Sequence, residues 1–160
     1  MSIQIGEKLP DATFMTPGAE GPEPVTTEDV FSGKRVALFA VPGAFTPTCS
    51  AKHLPGFKER AAEFKEKGVD AIACTSVNDV FVMDAWARQQ GVSGEIQMLA
   101  DGNGAFAKSV DLEMDASGFG MGSRSQRYAM VVNDGVVESI YVEGPGEFKV
   151  SSADHVLDNL

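Results

Sequence analysis

Residues 41–50 read V-P-G-A-F-T-P-T-C-S. Before them lies the apolar run R-V-A-L-F-A-V, residues 35–41, with the length and composition of a buried strand. After them, residues 51–67 mix polar and apolar groups as a helix does. Pro42-Gly43 ends the strand. Thr46-Pro47 starts the helix, with Thr46 as N-cap and Pro47 at the first helical position, where its missing N–H costs nothing. Cys49 is then the third helical residue. First-turn N–H groups lack partners inside the helix and carry partial positive charge, so a thiolate there is stabilised relative to a thiol. The Thr46 hydroxyl, three residues earlier, falls on the same side as the sulfur. A hydroxyl, free amides and a thiolate at one rigid turn make a nucleophilic site. The competing reading is a small apolar residue in a helix start.

The segment P-G-A-F-T-P-T-C-S resembles the active-site signature of the peroxiredoxins, most closely the type II, peroxiredoxin-five-like subgroup. The start of the chain, I-G-E-K-L-P-D at residues 5–11, resembles the G-x-x-x-P-x-F opening of that family. Residues 76–86, L-A-D at residues 99–101 and R-Y-A-M-V-V at residues 127–132 are similar to it as well. The resemblance spans nearly the whole chain and implies a thioredoxin-like fold and a thiol peroxidase.

Chain-wide properties set the outer bounds. At 160 residues one domain, residues 1–160, is expected, and 43% apolar residues are ordinary for a globular protein. A formal charge of −10 argues against nucleic-acid and anionic-membrane partners. The first residues lack a basic region followed by an apolar core, and no stretch is long enough to span a bilayer, so a soluble, cytoplasmic protein is expected. Two cysteines, Cys49 and Cys74, do not make a disulfide framework, and His53 and His155 do not complete a zinc cluster. No metal, haem, flavin or other cofactor is expected.

Working outward, residues 12–15 and 25–27 read as an N-terminal β-hairpin at a sheet edge, in a segment rich in turn residues. Residues 27–31 read as one helical turn. In the helix after Cys49, Leu54, Phe57, Ala61 and Phe64 form a core-facing stripe, Pro55 predicts a kink or interruption, and Gly68 a stop. Residues 69–77 form a second central strand, parallel to the first through that helix, and this βαβ unit anchors the fold. Asn78-Asp79 caps a helix over residues 80–90 that ends at Gly91. Residues 96–100 are a third strand and residues 105–110 a short helix. Residues 111–123, with Gly118, Gly120 and Gly122, read as a mobile loop, suggesting a flap or an interface through its apolar side chains. N-D-G at residues 133–135 is a strong hairpin signal. A last short helix covers residues 155–160. The fold class is therefore α/β: a thioredoxin-like, central mixed β-sheet flanked by helices, with an N-terminal β-hairpin.

The resemblance implies roles for particular residues. Cys49 attacks peroxide and becomes a sulfenic acid; Thr46 and Arg127 assist it; Pro42, Gly43, Thr46, Cys49 and Arg127 bind the substrate, with Pro42 limiting water access. Arg124 is the rival of Arg127 and reads as a solvated surface charge. His53, one turn beyond Cys49, reads as a polar residue on the first helical turns or else a base for the thiol. Cys74 reads as a buried inert thiol, or else a resolving cysteine. Trp86 reads as a packing residue whose N–H is satisfied near the surface. The subgroup's internal-disulfide members carry a cysteine near Ser151, and this chain has none. Regeneration is then expected from an external thiol, glutaredoxin with glutathione or thioredoxin. Hydrogen peroxide, small alkyl hydroperoxides and peroxynitrite are the implied substrates, and a homodimer the implied assembly. A cysteine hydrolase with a histidine base and a single-turnover redox sensor remain open alternatives.

Overall fold

The computed structural model describes residues 2–160. At its centre β3 (Arg35–Ala40) and β4 (Ala71–Ser76) run parallel, Val36 opposite Ala71 through Ala40 opposite Thr75. Both strands are buried along nearly their whole length, which is why they read as continuous apolar runs rather than alternating ones. Beyond β4, β5 (Gln97–Ala100) continues the parallel arrangement. Beside β3, β8 (Tyr128–Asn133) runs antiparallel and turns back as β9 (Val136–Val142). The turn between them has Asp134 at φ 50° and Gly135 at φ 80°, the left-handed pair that an Asp-Gly hairpin requires.

The N-terminal hairpin, β1 (Thr13–Gly18) with β2 (Gly21–Thr26), closes the other edge through β5, completing a seven-stranded mixed sheet of order β2-β1-β5-β4-β3-β8-β9. The hairpin is longer than expected. Pro17, Pro22 and Pro24 lie inside strands, not in turns, with Pro17 opposite Pro22. β2 is an edge strand, so the N–H groups that its prolines lack need no ladder partner on the open side. α1 (Thr27–Phe31) follows with a capping box, Thr26 Oγ1 accepting from Asp29 N–H and the Asp29 carboxylate from Thr26 N–H.

The expected helix after Cys49 is divided. Helical backbone starts at Pro47, widens into a π-helical turn over Cys49–His53, continues as α2 (Leu54–Glu59), breaks at Arg60 and resumes as α3 (Ala61–Glu66). The widened turn stands just ahead of Pro55, whose ring in a regular ladder would clash with the carbonyl four residues back. Leu54 N–H instead reaches the Cys49 carbonyl. Leu54, Phe57 and Phe64 are fully buried, and Phe57 stacks on Phe39 of β3 with ring centroids 4.3 Å apart. Losing such a buried ring costs about 3–5 kcal/mol, so this contact fixes how the cysteine-bearing segment sits on the sheet.

α4 (Val80–Gln90) takes Asp79 as its N-cap and ends at Gly91 in the left-handed conformation, as expected. Trp86 is fully buried rather than near the surface, and its Nε1–H donates to Ser50 Oγ at 2.9 Å. α5 (Ala105–Ser109) is capped by the sheet's own loop, since the Asp101 carboxylate accepts from Phe106 and Ala107 N–H. Residues 111–123 do not read out as the expected open loop. β6 (Glu113–Asp115) pairs antiparallel with β7 (Ser123–Ser125), and a 3-10 turn at Ser117–Phe119 connects them. The three glycines serve its turns, Gly120 and Gly122 both with positive φ. α6 (Ala153–Asp158) ends the chain, capped by Ser152. No described helix is long and apolar enough to cross a membrane.

Candidate active site

The turn between β3 and the helical segment is held on both sides. The Asn78 side-chain oxygen accepts from Ala44 N–H at 3.0 Å and from the Ser76 hydroxyl at 2.6 Å, tying the turn to the end of β4. The Gly43 carbonyl lies 2.6 Å from Thr46 Oγ1. Phe45 adopts φ 66°, a left-handed conformation rare for a bulky side chain. Such backbone strain persists where surrounding structure enforces it, and active sites are where it collects. Gly43 is closely surrounded: a Cβ there would meet Met121 Cε and Thr46 Cγ2, each at 3.3 Å, so these side chains would have to shift to admit it.

The turn delivers Cys49 with no exposed surface. Its Sγ lies 2.8 Å from Thr46 Oγ1 and 2.9 Å from Arg127 Nη2. Thr46 carries one hydroxyl proton and has two neighbours. When the sulfur is a thiol, it can give its hydrogen to Thr46 Oγ1 while the hydroxyl donates to the Gly43 carbonyl. When the sulfur is a thiolate, the hydroxyl turns to donate to it. The site thus offers a thiolate two donors, one of them a full positive charge.

Arg127 is itself fixed. Its Nη1 lies 2.8 Å from His53 Nδ1, and its guanidinium carbon sits 5.9 Å from the Phe148 ring centroid. Nε2 of His53 lies 2.9 Å from the Ser151 carbonyl. Burial, and then the Arg127 charge, push the His53 pKa down to about 3, with the Ser151 carbonyl and Glu143 opposing them. The ring is therefore neutral at physiological pH. Glu143 Oε2 accepts from the N–H groups of Lys149, Val150 and Ser151 and from the Ser151 hydroxyl, all within 2.9 Å. Burial alone would raise the Glu143 carboxyl, but the Ser151 hydroxyl and these backbone donors outweigh it and hold its pKa below the ordinary carboxylate value.

The chain matches the Redoxin family over residues 4–157. It is 47% identical to peroxiredoxin-2E, chloroplastic, of Arabidopsis thaliana, over 99% of this chain and 70% of that protein. It is 45% identical to peroxiredoxin-2B of the same plant, over 99% of this chain and 98% of the other. The chain belongs to the peroxiredoxins. Among solved structures, reduced Prx3 of Vibrio vulnificus in complex with hydrogen peroxide superposes with a TM-score of 0.94 at 52% identity, covering 98% of both chains. Fold and group agree with the expectation: a thioredoxin-like peroxiredoxin of the type II, peroxiredoxin-five-like group, hence a thiol peroxidase and an oxidoreductase.

In this peroxiredoxin the structure brings Cys49, Thr46 and Arg127 together, with Gly43 beside Thr46 and Pro42 half-buried at the start of the turn. Arg124 is not the solvated charge expected. It is half-buried, its Nε donating to the Met121 carbonyl and its Nη1 to the Val77 carbonyl, so it ties the β6–β7 hairpin to the loop before α4. His53 lies on the first helical turns as expected but is not placed as a base for the thiol. It is fully buried, and both ring nitrogens are engaged away from the sulfur. Cys74 is a buried thiol in mid-β4, its pKa raised by burial and by the neighbouring Cys49 despite the Arg127 charge. Asn78, Phe148, Glu143 and Ser151 were not singled out as site residues. The three that lie beyond residue 140 reach the site only through the fold, and nothing in their local spacing signals it. No cluster of three or more His, Cys, Asp or Glu that could hold a metal occurs among the described residues.

Proposed function

We propose that Cys49 is the peroxidatic nucleophile, that Arg127 and Thr46 are the donors that activate it, and that an external thiol regenerates it. The observation that carries the reading is the convergence of Arg127 Nη2 and Thr46 Oγ1 on Cys49 Sγ at 2.9 and 2.8 Å. The thiolate attacks the terminal oxygen of a hydroperoxide. An S–O bond forms and the O–O bond breaks, giving Cys49 sulfenic acid and an alkoxide or hydroxide, which takes a proton from solvent and leaves as alcohol or water. The Arg127 charge offsets the negative charge growing on the departing oxygen. Gly43 admits the peroxide to the turn, and Pro42 limits water. Hydrogen peroxide and small alkyl hydroperoxides are the proposed substrates; the Vibrio vulnificus relative crystallised with hydrogen peroxide supports this.

For regeneration, a first thiol attacks the sulfenic sulfur, forming a mixed disulfide and releasing water. A second thiol then frees Cys49 and leaves as the disulfide. The proposed source is glutaredoxin with glutathione, or thioredoxin. Two features favour an external thiol: Cys74 is enclosed in the middle of the sheet, and the sequence holds no cysteine after it. The proposal includes a cytoplasmic location and a homodimer formed through the face carrying the site. Phe45, Phe81 and Phe119 are 46%, 71% and 86% exposed, on three segments that the Asn78 and Arg124 contacts join at this end of the molecule.

The hydrolase alternative loses its base. Both nitrogens of His53 are committed, and His155 packs edge-on against Tyr141 with centroids 4.8 Å apart. The direct test is steady-state peroxide consumption with each reductant system in turn. Sustained turnover with at least one of them is expected. Consumption of a single equivalent in all of them would leave the single-turnover sensor as the correct reading.

A further inference from the structure

We infer that His53 is the positioning residue for the Arg127 guanidinium, and that the C-terminal loop tied by Glu143 holds His53 in the one ring state able to do this. The inference rests on Cys49 being the peroxide-reactive residue.

Hydrogen-bond accounting fixes the ring state. A guanidinium has donors only, so the His53 nitrogen 2.8 Å from Arg127 Nη1 must be a bare lone pair. The Ser151 carbonyl has acceptors only, so the nitrogen 2.9 Å from it must carry the hydrogen. His53 is therefore neutral, with its hydrogen on Nε2. The other tautomer would set two donors against each other at Arg127 and two acceptors against each other at Ser151. The ring plane is fixed as well, by Phe39 and Phe148 with centroids 4.9 and 5.1 Å away.

The Ser151 carbonyl that selects this tautomer is positioned by Glu143. Glu143 is 7% exposed and gathers three consecutive backbone N–H groups and the Ser151 hydroxyl on one carboxylate oxygen. It also begins beside Arg127, since Glu143 N–H donates to the Arg127 carbonyl at 2.9 Å. The loop thus leaves β9 next to Arg127, places Phe148 over the guanidinium, and returns through Ser151 to His53. Arg127 is held at two points: Nη1 on His53 and Nη2 on Cys49. Without the first, the long side chain is free to turn, and Nη2 leaves the sulfur.

Four variants test this: His53→Phe, His53→Asn, His53→Gln and Glu143→Gln. For each, the second-order rate of Cys49 with hydrogen peroxide is measured beside its alkylation by iodoacetamide, which has no peroxide oxygen for Arg127 to hold. The readout is the ratio of the two rates, which simple destabilisation does not move. Asn places an amide oxygen where Nδ1 accepts from Arg127; Gln reaches only the Ser151 side; Phe keeps the packing alone. The ratio should fall roughly ten- to hundredfold in His53→Phe and His53→Gln, stay within about threefold of wild type in His53→Asn, and fall severalfold in Glu143→Gln. Equal ratios in the Asn and Gln variants would overturn the role of His53, even if the Phe variant does not fold. A wild-type ratio in Glu143→Gln would overturn the role of the loop. A wild-type Cys49 inert to peroxide but alkylated normally would instead overturn the assignment of Cys49.

Discussion

Arg127 Nη2 lies 2.9 Å from Cys49 Sγ although 78 residues separate them in the chain. Strand register brings them together. β8 runs antiparallel to β3 with Tyr128 opposite Ala40, so the residue before Tyr128 arrives at the end of β3 from which the cysteine turn departs. Any sheet with this register delivers a side chain from position 127 to that turn, and the sequence spends the position on the one cation that always stays charged.

Arg127→Ala should therefore slow peroxide reduction by roughly 10²–10³-fold, the usual loss when one donor to a developing negative charge is removed. Arg124→Ala should cost less than tenfold, because that side chain is spent on two backbone carbonyls. Rapid-mixing kinetics with hydrogen peroxide checks both; the reverse ranking would show that Arg124 is the working cation.

The Thr46 hydroxyl serves the sulfur or the Gly43 carbonyl, one at a time. Thr46→Ser keeps that choice and should retain most activity. Thr46→Val fills the same space without a donor and should lose about tenfold or more in rate. Equal rates for the two variants would mean that the hydroxyl contributes only to the turn.

Cys49→Ser should abolish turnover, whereas Cys74→Ser should leave most of it. The Cys74 thiol is enclosed in the sheet, so the second substitution acts on stability, costing about 1–3 kcal/mol for a buried hydroxyl. Denaturant melts and peroxidase assays on the same preparations separate the two effects. Equal loss of turnover would return a resolving role to Cys74.

Acid should destabilise the protein through His53. Its pKa is 6.5 in the unfolded chain and about 3 in the folded one, so between those values the unfolded state binds more protons. Stability from this group is complete above pH 6.5 and falls by about 1.4 kcal/mol per unit as the pH drops towards 3. The depressed Glu143 carboxyl acts in the same direction below its unfolded value of 4.5. Between pH 6.5 and 4.5 wild type should lose about 2–3 kcal/mol more than His53→Asn, which does not titrate. Parallel denaturation curves across that range would contradict the buried neutral ring.

What the sequence discloses follows from how local each signal is. The P-G-A-F-T-P-T-C turn, the Asp79 cap, the Gly91 stop and the Asp-Gly hairpin act within a few residues, and each appears where the local chemistry puts it. Arg127 was legible because it opens a strand whose pattern resembles the family's. His53 was visible only as a neighbour of Cys49, and its partners, Arg127 and Ser151, lie 74 and 98 residues away. The 111–123 segment looked loose because its glycines hide a three-residue pairing too short to show periodicity. Pro22 and Pro24 signalled turns because an edge strand, where proline is tolerated, cannot be told from a loop without knowing its neighbours.

The most direct measurement is the intact mass of wild type and Cys49→Ser after one equivalent of hydrogen peroxide, with a sulfenic-acid trap present. The account predicts one trapped adduct within seconds, located on Cys49, and none in the variant. A loss of two hydrogens without an adduct would contradict regeneration by an external thiol. No reaction on that timescale would contradict Cys49 as the peroxidatic residue.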